Sequence, residues 1–146
     1  MERTYTLFWN IFEKPPGGIR VTAQIPSTWK EQLDGMGSPT FEIAHLGGIA
    51  PAIVAIHAPG ADDAARLQWA MEKQYGDNLA AVTQERRDGG GIWAVHRRNP
   101  GHVHARMFLP APQESVVMCV AMILGGQAGW LDEIKPVFET VRVAST

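Results

Sequence analysis

The sequence predicts an α+β domain, an antiparallel β-sheet of about six to eight strands with two main helices packed on it, in the order ββββ-α-ββββ-α. Ile19, Val21, Ala23 and Ile25 alternate with Arg20, Thr22 and Gln24, the period of two that sets one strand face on a core and the other toward solvent. Residues 61–75 carry the strongest helical periodicity, bracketed by Pro59-Gly60 and Gly76. The segments after it are short, apolar and separated by glycine- and proline-containing turns, as in a meander.

Tyr5 to Phe12, rich in aromatic and β-branched residues, reads as the first strand. Lys14-Pro15-Pro16-Gly17-Gly18 is a turn signal that joins it as a hairpin to the Ile19 to Ile25 strand. Pro26 removes a ladder donor and ends that strand, and Trp29 is expected to pack the following turn and not to touch a ligand. A polar, glycine-containing connection, Lys30 to Ser38, leads to a second antiparallel pair, Thr40 to Leu46 and Ala52 to His57. Gly47-Gly48 joins the two and leaves their register open.

In the helix, Asp62 and Asp63 are placed to cap or complement the positive N-terminus, and Gly76 closes the C-terminus. Ala64, Leu67, Met71 and Tyr75 form the predicted buried stripe. Trp69 lies about 200° around the helix from Leu67, close to Arg66 and Lys73. It either meets a partner or packs under local chain with those cations stacked on it, the commoner fate of a large aromatic off the main stripe.

Leu79 to Arg87, Ile92 to Arg98, His102 to Leu109 and Ser115 to Leu124 read as sequential strands. Asp88-Gly89-Gly90-Gly91, Asn99-Pro100-Gly101 and Pro110-Ala111-Pro112-Gln113-Glu114 separate them as turns. Val116 to Leu124 is apolar on both faces, which predicts a central strand covered on both sides. Trp130 to Phe138 begins with helical spacing, and Pro136 predicts an element that is short, kinked or restarted. Thr140 to Val143 follows as a short strand or extended tail.

At 146 residues the chain fits one globular domain, residues 1–146, and can bury roughly 68–70% of the surface its unfolded form exposes. Its 13 basic and 15 acidic residues give a net charge of −2, without the basic footprint of a nucleic-acid binder. The apolar run from Val116 to Leu124 is far shorter than the roughly 20 residues that span a bilayer as a helix. Met1-Glu2-Arg3-Thr4-Tyr5 does not open a signal peptide. The expected compartment is therefore cytoplasmic for a full-length chain and extracytoplasmic if a leader has been trimmed. Cys119 is the sole cysteine, which excludes an internal disulfide, and its apolar neighbours predict a buried, inert thiol.

The densest group of potential ligands is His96, His102 and His104. A three-residue loop at Asn99-Pro100-Gly101 would set Arg98 opposite His102 and His96 opposite His104, all sharing one face with Arg106. A two-residue turn would break that opposition. Imidazoles so placed could hold zinc or copper, but the segment has no carboxylate and its arginines repel a cation, so no metal or other cofactor is expected. The strip reads first as a solvated sheet face, then as a surface that recruits an acidic or amphipathic partner.

His45 and His57 stand alone and are expected to be hydrogen-bonded structural residues. Glu13, Glu31, Asp34 and Glu42 lack the pairing that acid–base catalysis uses. Gly89-Gly90-Gly91 precedes a strand and has no Lys-Ser/Thr sequel, so it is a turn and not a phosphate cradle. Ser27, Ser38 and Ser115 lack a nucleophile-elbow setting.

The strand Ile19 to Ile25 running through Pro26-Ser27-Thr28-Trp29, the mid-chain helix with Trp69, the meander and the closing helix at Trp130-Leu131-Asp132-Glu133-Ile134 together resemble one superfamily. It groups the photosystem protein PsbP, the nuclear-import factor that binds Ran and bacterial DcrB-like proteins. The resemblance covers nearly the whole chain as a pattern and implies a sheet with packed helices that binds proteins or serves as an accessory or envelope factor, usually without catalysis. Bacterial relatives include lipoproteins, whose lipobox cysteine this chain lacks near its start, and dimeric chaperones for type VI secretion effectors, which shield apolar helices on sheet surfaces.

The expectation is a non-enzymatic protein-binding, accessory or chaperone-like domain with an unidentified protein partner, able to form a homodimer. Its candidate contact residues are Trp69, Arg66, Lys73, His96, His102, His104 and Arg106. The alternatives are an extracytoplasmic ligand-binding or lipoprotein-derived domain and, behind it, a small histidine-metal enzyme.

Overall fold

A computed structural model describes residues 1–9, 18–35, 37–46, 50–99, 102–124 and 129–144. The strands among these residues are β1 (Glu2–Leu7), β2 (Ile19–Gln24), β3 (Lys30–Leu33), β4 (Pro39–Glu42), β5 (Ala52–His57), β6 (Thr83–Arg86), β7 (Ile92–Asn99), β8 (His102–Ala111), β9 (Ser115–Leu124) and β10 (Arg142–Val143). Helix α1 (Asp63–Tyr75) follows β5, and α2 (Trp130–Phe138) lies between β9 and β10. The α+β class is as predicted, with antiparallel strands divided between two sheets: seven strands in the order β3-β4-β5-β9-β8-β7-β6, and three in the order β1-β2-β10.

Strand β9 is the middle of the larger sheet and apolar on both faces, so each face needs a cover. Val117, Cys119, Ala121 and Ile123 join the core that also holds Leu7, Ile19, Val21, Phe41, Ile134 and Phe138, between the large sheet and the small sheet with α2. Val116 and Met118 turn the other way and pack with Leu67, Ala70, Met71 and Tyr75 of α1 and Phe108 of β8. The α1 stripe differs from its prediction at one position: Ala64 is exposed and Ala70 takes its place inside. Asp62 caps the helix, its Oδ1 accepting from the Ala65 amide at 2.8 Å.

Polar links fasten the two sheets together. The Tyr5 hydroxyl donates to Glu31 on β3, and burial together with that carboxylate pushes the phenol's pKa well above its ordinary value. Trp9 Nε1 donates to Ser115 Oγ at 2.6 Å. At the end of α2, Thr140 Oγ1 donates to the Val137 carbonyl and accepts from the Gln24 amide, tying the helix end to β2. Gly37 makes a close approach possible: its φ is +77°, and a Cβ there would stand 2.2 Å from the Thr6 carbonyl oxygen.

Several boundaries move from the sequence reading. The first strand ends at Leu7, and residues 10–12 lie outside the described residues, as do 14–17 of its turn and the Gly47-Gly48 join. The polar connection after Trp29 contains an edge strand, β3, whose charged side chains suit an edge and hid it from apolar periodicity. Residues 79–81 belong to a 3-10 turn (Gly76–Ala81) that prolongs α1, so β6 is shorter than expected. Strand β8 runs through Pro110 because β7 pairs with it only as far as Phe108, so the missing N–H falls on an open edge. Helix α2 passes Pro136 and stops two residues later.

The shared strand makes the halves cooperative. Phe41→Ala and Phe108→Ala are each expected to cost about 3–5 kcal/mol and to shift one common transition in urea followed by tryptophan fluorescence and circular dichroism. Two separated transitions would show that the cores unfold independently.

Lys135 Nζ, 3.0 Å from Glu85, ties α2 to β6. That hydrogen bond, and then the ammonium charge, hold the Glu85 carboxyl below the usual range. A carboxyl so lowered stabilises the fold above its unfolded pKa, and the contribution is lost as pH falls through the lowered value. In Lys135→Met, NMR titration should find Glu85 titrating at higher pH than in the wild type.

Candidate functional site

The pairing of strands dictates which side chains line the α1 side of the large sheet. Thr40, Ala52, Val120, Arg106 and Ala94 form one row across it, and Met122, His104 and His96 form the next. Helix α1 does not close over all of this surface: Met122 is 50% exposed, and Ala52, Val120, His104 and Arg106 are half-buried. An apolar strip therefore runs beside a basic one on an open sheet face.

The structure brings His96 opposite His104, as predicted, with ring centroids 6.4 Å apart. It does not bring Arg98 opposite His102. A register shift between Arg97 and Asn99 sets His102 against Asn99, because the bulge adds a residue on β7. His102 is exposed at the start of β8, while His96 is only 6% exposed and meets Tyr75 edge-on at 5.8 Å.

Tyr75, the last residue of α1, is the part of the site missing from the sequence prediction. It counts there only as a core residue, and its register against β7 and β8 is a tertiary fact. The Arg106 guanidinium lies 5.0 Å from the centre of its ring, a cation–π contact that holds the long side chain in place. Burial raises the Tyr75 pKa, and the nearby Arg106 opposes this without cancelling it. The phenol stays protonated and remains a donor at neutral pH. Among the described residues no group meets its hydroxyl in good hydrogen-bond geometry, Arg106 itself being the nearest donor, and Arg106 Nε has no partner. Arg106 also makes no ion pair with a described carboxylate.

Trp69 is half-buried and packs at the margin of the α1 core, in the company of Val54, Ile56 and Val120. Lys73 Nζ lies 5.8 Å from the centre of its ring, while Arg66 turns to Asp63 at 3.2 Å. Arg66, Trp69 and Lys73 thus lie along the helix, and His96, His104 and Arg106 on the sheet. His45 and His57 are both exposed: His45 Nε2 is hydrogen-bonded to Glu133 at 2.5 Å, and His57, the last residue of β5 as predicted, has its Nε2 3.6 Å from Glu114. The sequence placed His45 in a strand, whereas it sits in a 3-10 turn (Ala44–Leu46).

Among the described residues no three His, Cys, Asp or Glu side chains gather as metal ligands. Cys119 is fully buried, and burial pushes its thiol pKa far up, leaving little thiolate for reaction. A cleft of about 690 Å³ opens between the sheets, over Met107, Leu109, Phe138 and Val141. Arg87, on its rim, is committed to Glu139 and Glu85. Among the described residues no helix is long and apolar enough to cross a membrane.

The two-sheet α+β fold has counterparts of known structure. A crystal structure from Bacteroides thetaiotaomicron VPI-5482 matches with a TM-score of 0.56 at 16% identity over 86% of this chain, which spans only 45% of that protein. LpqN, involved in cell envelope biogenesis of Mycobacterium tuberculosis, matches with a TM-score of 0.57 at 16% identity, over 98% of this chain and 91% of LpqN. Likeness at this identity is likeness of fold. No protein-family model matches the chain, and no curated protein matches it.

Tyr75→Phe tests the idle hydroxyl. Removing a buried group without a partner is expected to leave stability unchanged or raise it by up to about 1 kcal/mol. Urea unfolding provides the measurement, and a loss of similar size would reveal a partner for the hydroxyl.

Proposed function

We propose that this chain is a non-enzymatic accessory domain that holds an amphipathic helix of a partner polypeptide against the open part of its large sheet. The observation that carries the proposal is the half-exposed Met122, set with Val120 beside Arg106 and His104 on a face that α1 leaves uncovered. Apolar side chains there lose water when a helix docks, and the basic row selects a helix that is acidic along one flank. Likeness of fold to an envelope-biogenesis protein supports an accessory role, as does the resemblance to the PsbP-like and DcrB-like superfamily. A second copy of the chain is a poorer occupant, because stacking two such faces opposes like charges.

A photo-crosslinking residue at position 122 is expected to trap a segment with apolar positions at helical spacing and acidic neighbours. The same residue at exposed Leu33, on the β3 edge, should not trap it. Met122→Asp should lower the affinity for that segment by about tenfold or more, with the unfolding midpoint little changed at so exposed a site. Equal labelling from positions 122 and 33, or trapped segments without that pattern, would count against the proposal.

A further inference from the structure

Arg106 is held on the sheet by Tyr75 and has no ion-pair partner among the described residues. Its side chain is half-buried, its guanidinium is held over the Tyr75 ring at 5.0 Å, and its Nε is sealed from water without a partner. Beside it the Tyr75 hydroxyl, on a residue only 5% exposed, also meets no group in good hydrogen-bond geometry. Groups taken out of water without a hydrogen bond cost free energy and are rare in native proteins. The imidazoles of His96 and His104 lie beside them, the ladder partners of Arg106 are Ala94 and Val120, and no described carboxylate forms an ion pair with it. A planar carboxylate matches a fixed guanidinium fork better than any neutral group.

We infer that Arg106, supported by Tyr75, is the receptor for an Asp or Glu side chain of the docked helix, and that this contact sets the helix's register on the sheet. The inference rests on the helix-docking reading above and deepens it. Arg106 pairs across the ladder with Val120, while Met122 is two residues further along β9, opposite His104. Neighbouring strands stand about 4.8 Å apart, and helix positions i and i+3 or i+4 stand about 5–6 Å apart. An acidic residue three or four positions from an apolar one therefore reaches Arg106 when the apolar side chain rests on Val120 and Met122.

Two probes test this with the intact chain. The first is a pair of synthetic amphipathic helical peptides, leucine-anchored, carrying either Glu or Gln four residues from the anchor, titrated by calorimetry. The Glu peptide is expected to bind about tenfold more tightly, the worth of a charge-assisted hydrogen bond. Arg106→Met should erase that ratio while still binding the Gln peptide, and Arg106→Lys should keep only part of it. The second probe is acetate at constant ionic strength, read by NMR at the Arg106 Hε and Tyr75 ring resonances, where a saturable shift is expected in the wild type and none in Arg106→Met.

Equal affinities for the Glu and Gln peptides, with no acetate response, would overturn the carboxylate receptor while leaving helix docking intact. An acetate response with neither peptide bound would overturn helix docking and, with it, the assignment of the receptor to a partner's side chain. Binding of the Glu peptide that Arg106→Met leaves undiminished would also overturn the proposal.

Discussion

The fold depends on one constraint, the double-sided burial of β9. Ser115 to Ile123 alternates between two cores, with Val117, Cys119, Ala121 and Ile123 on one side and Val116 and Met118 on the other. A strand apolar on both faces is stable only between two covering layers. The first layer is the three-stranded sheet with α2, fastened by Tyr5 to Glu31, by Trp9 to Ser115 and by Thr140 to Gln24. The second is α1, and here the cover runs short. Met122, toward the end of β9, is 50% exposed, and His104 and Arg106 beside it on β8 are half-buried.

The exposed part of that face is the candidate site. Phe108 and Met118 pack with α1, Val120 is half-buried against the same core, and Met122 is half exposed next to Arg106 and His104 on β8. An uncovered sheet face made wholly of apolar residues would invite aggregation. Arginine and histidine in alternate positions of β8 break up the patch with polar groups. On the helix-docking proposal, the same residues would favour a partner of opposite charge.

Local rules made the frame legible in sequence. Ile19 to Gln24 follows its alternation residue by residue, Asp62 caps α1 and Gly76 closes it, and β9 begins and ends where its apolar run does. Reading failed where local chemistry did not announce the tertiary setting. Strand β3 has only exposed side chains and derives its order from pairing with β4, so no periodicity marked it. The division into two sheets was equally hidden, since β10 pairs with β2 across most of the chain length. On the candidate site, the opposition of His96 and His104 was expected from a three-residue turn but arises otherwise: the ladder closes at Asn99 and His102, and the bulge between Arg97 and Asn99 restores the pairing. The bulge that shifts His102 leaves no mark in the local sequence, and the docking of Tyr75 onto Arg106 joins residues far apart in the chain.

Arg106 shows why such a residue belongs at a boundary and not in a core. Enclosed entirely, a guanidinium without a counter-charge would be too costly to desolvate; fully exposed, it would be a mobile, solvated charge with little directional preference. Stacked on Tyr75 at the edge of α1, it loses side-chain freedom before any partner arrives, so a later contact has less entropy to oppose it. The residue that holds the arginine still is the last of α1, so the helix preorganises this surface from its margin.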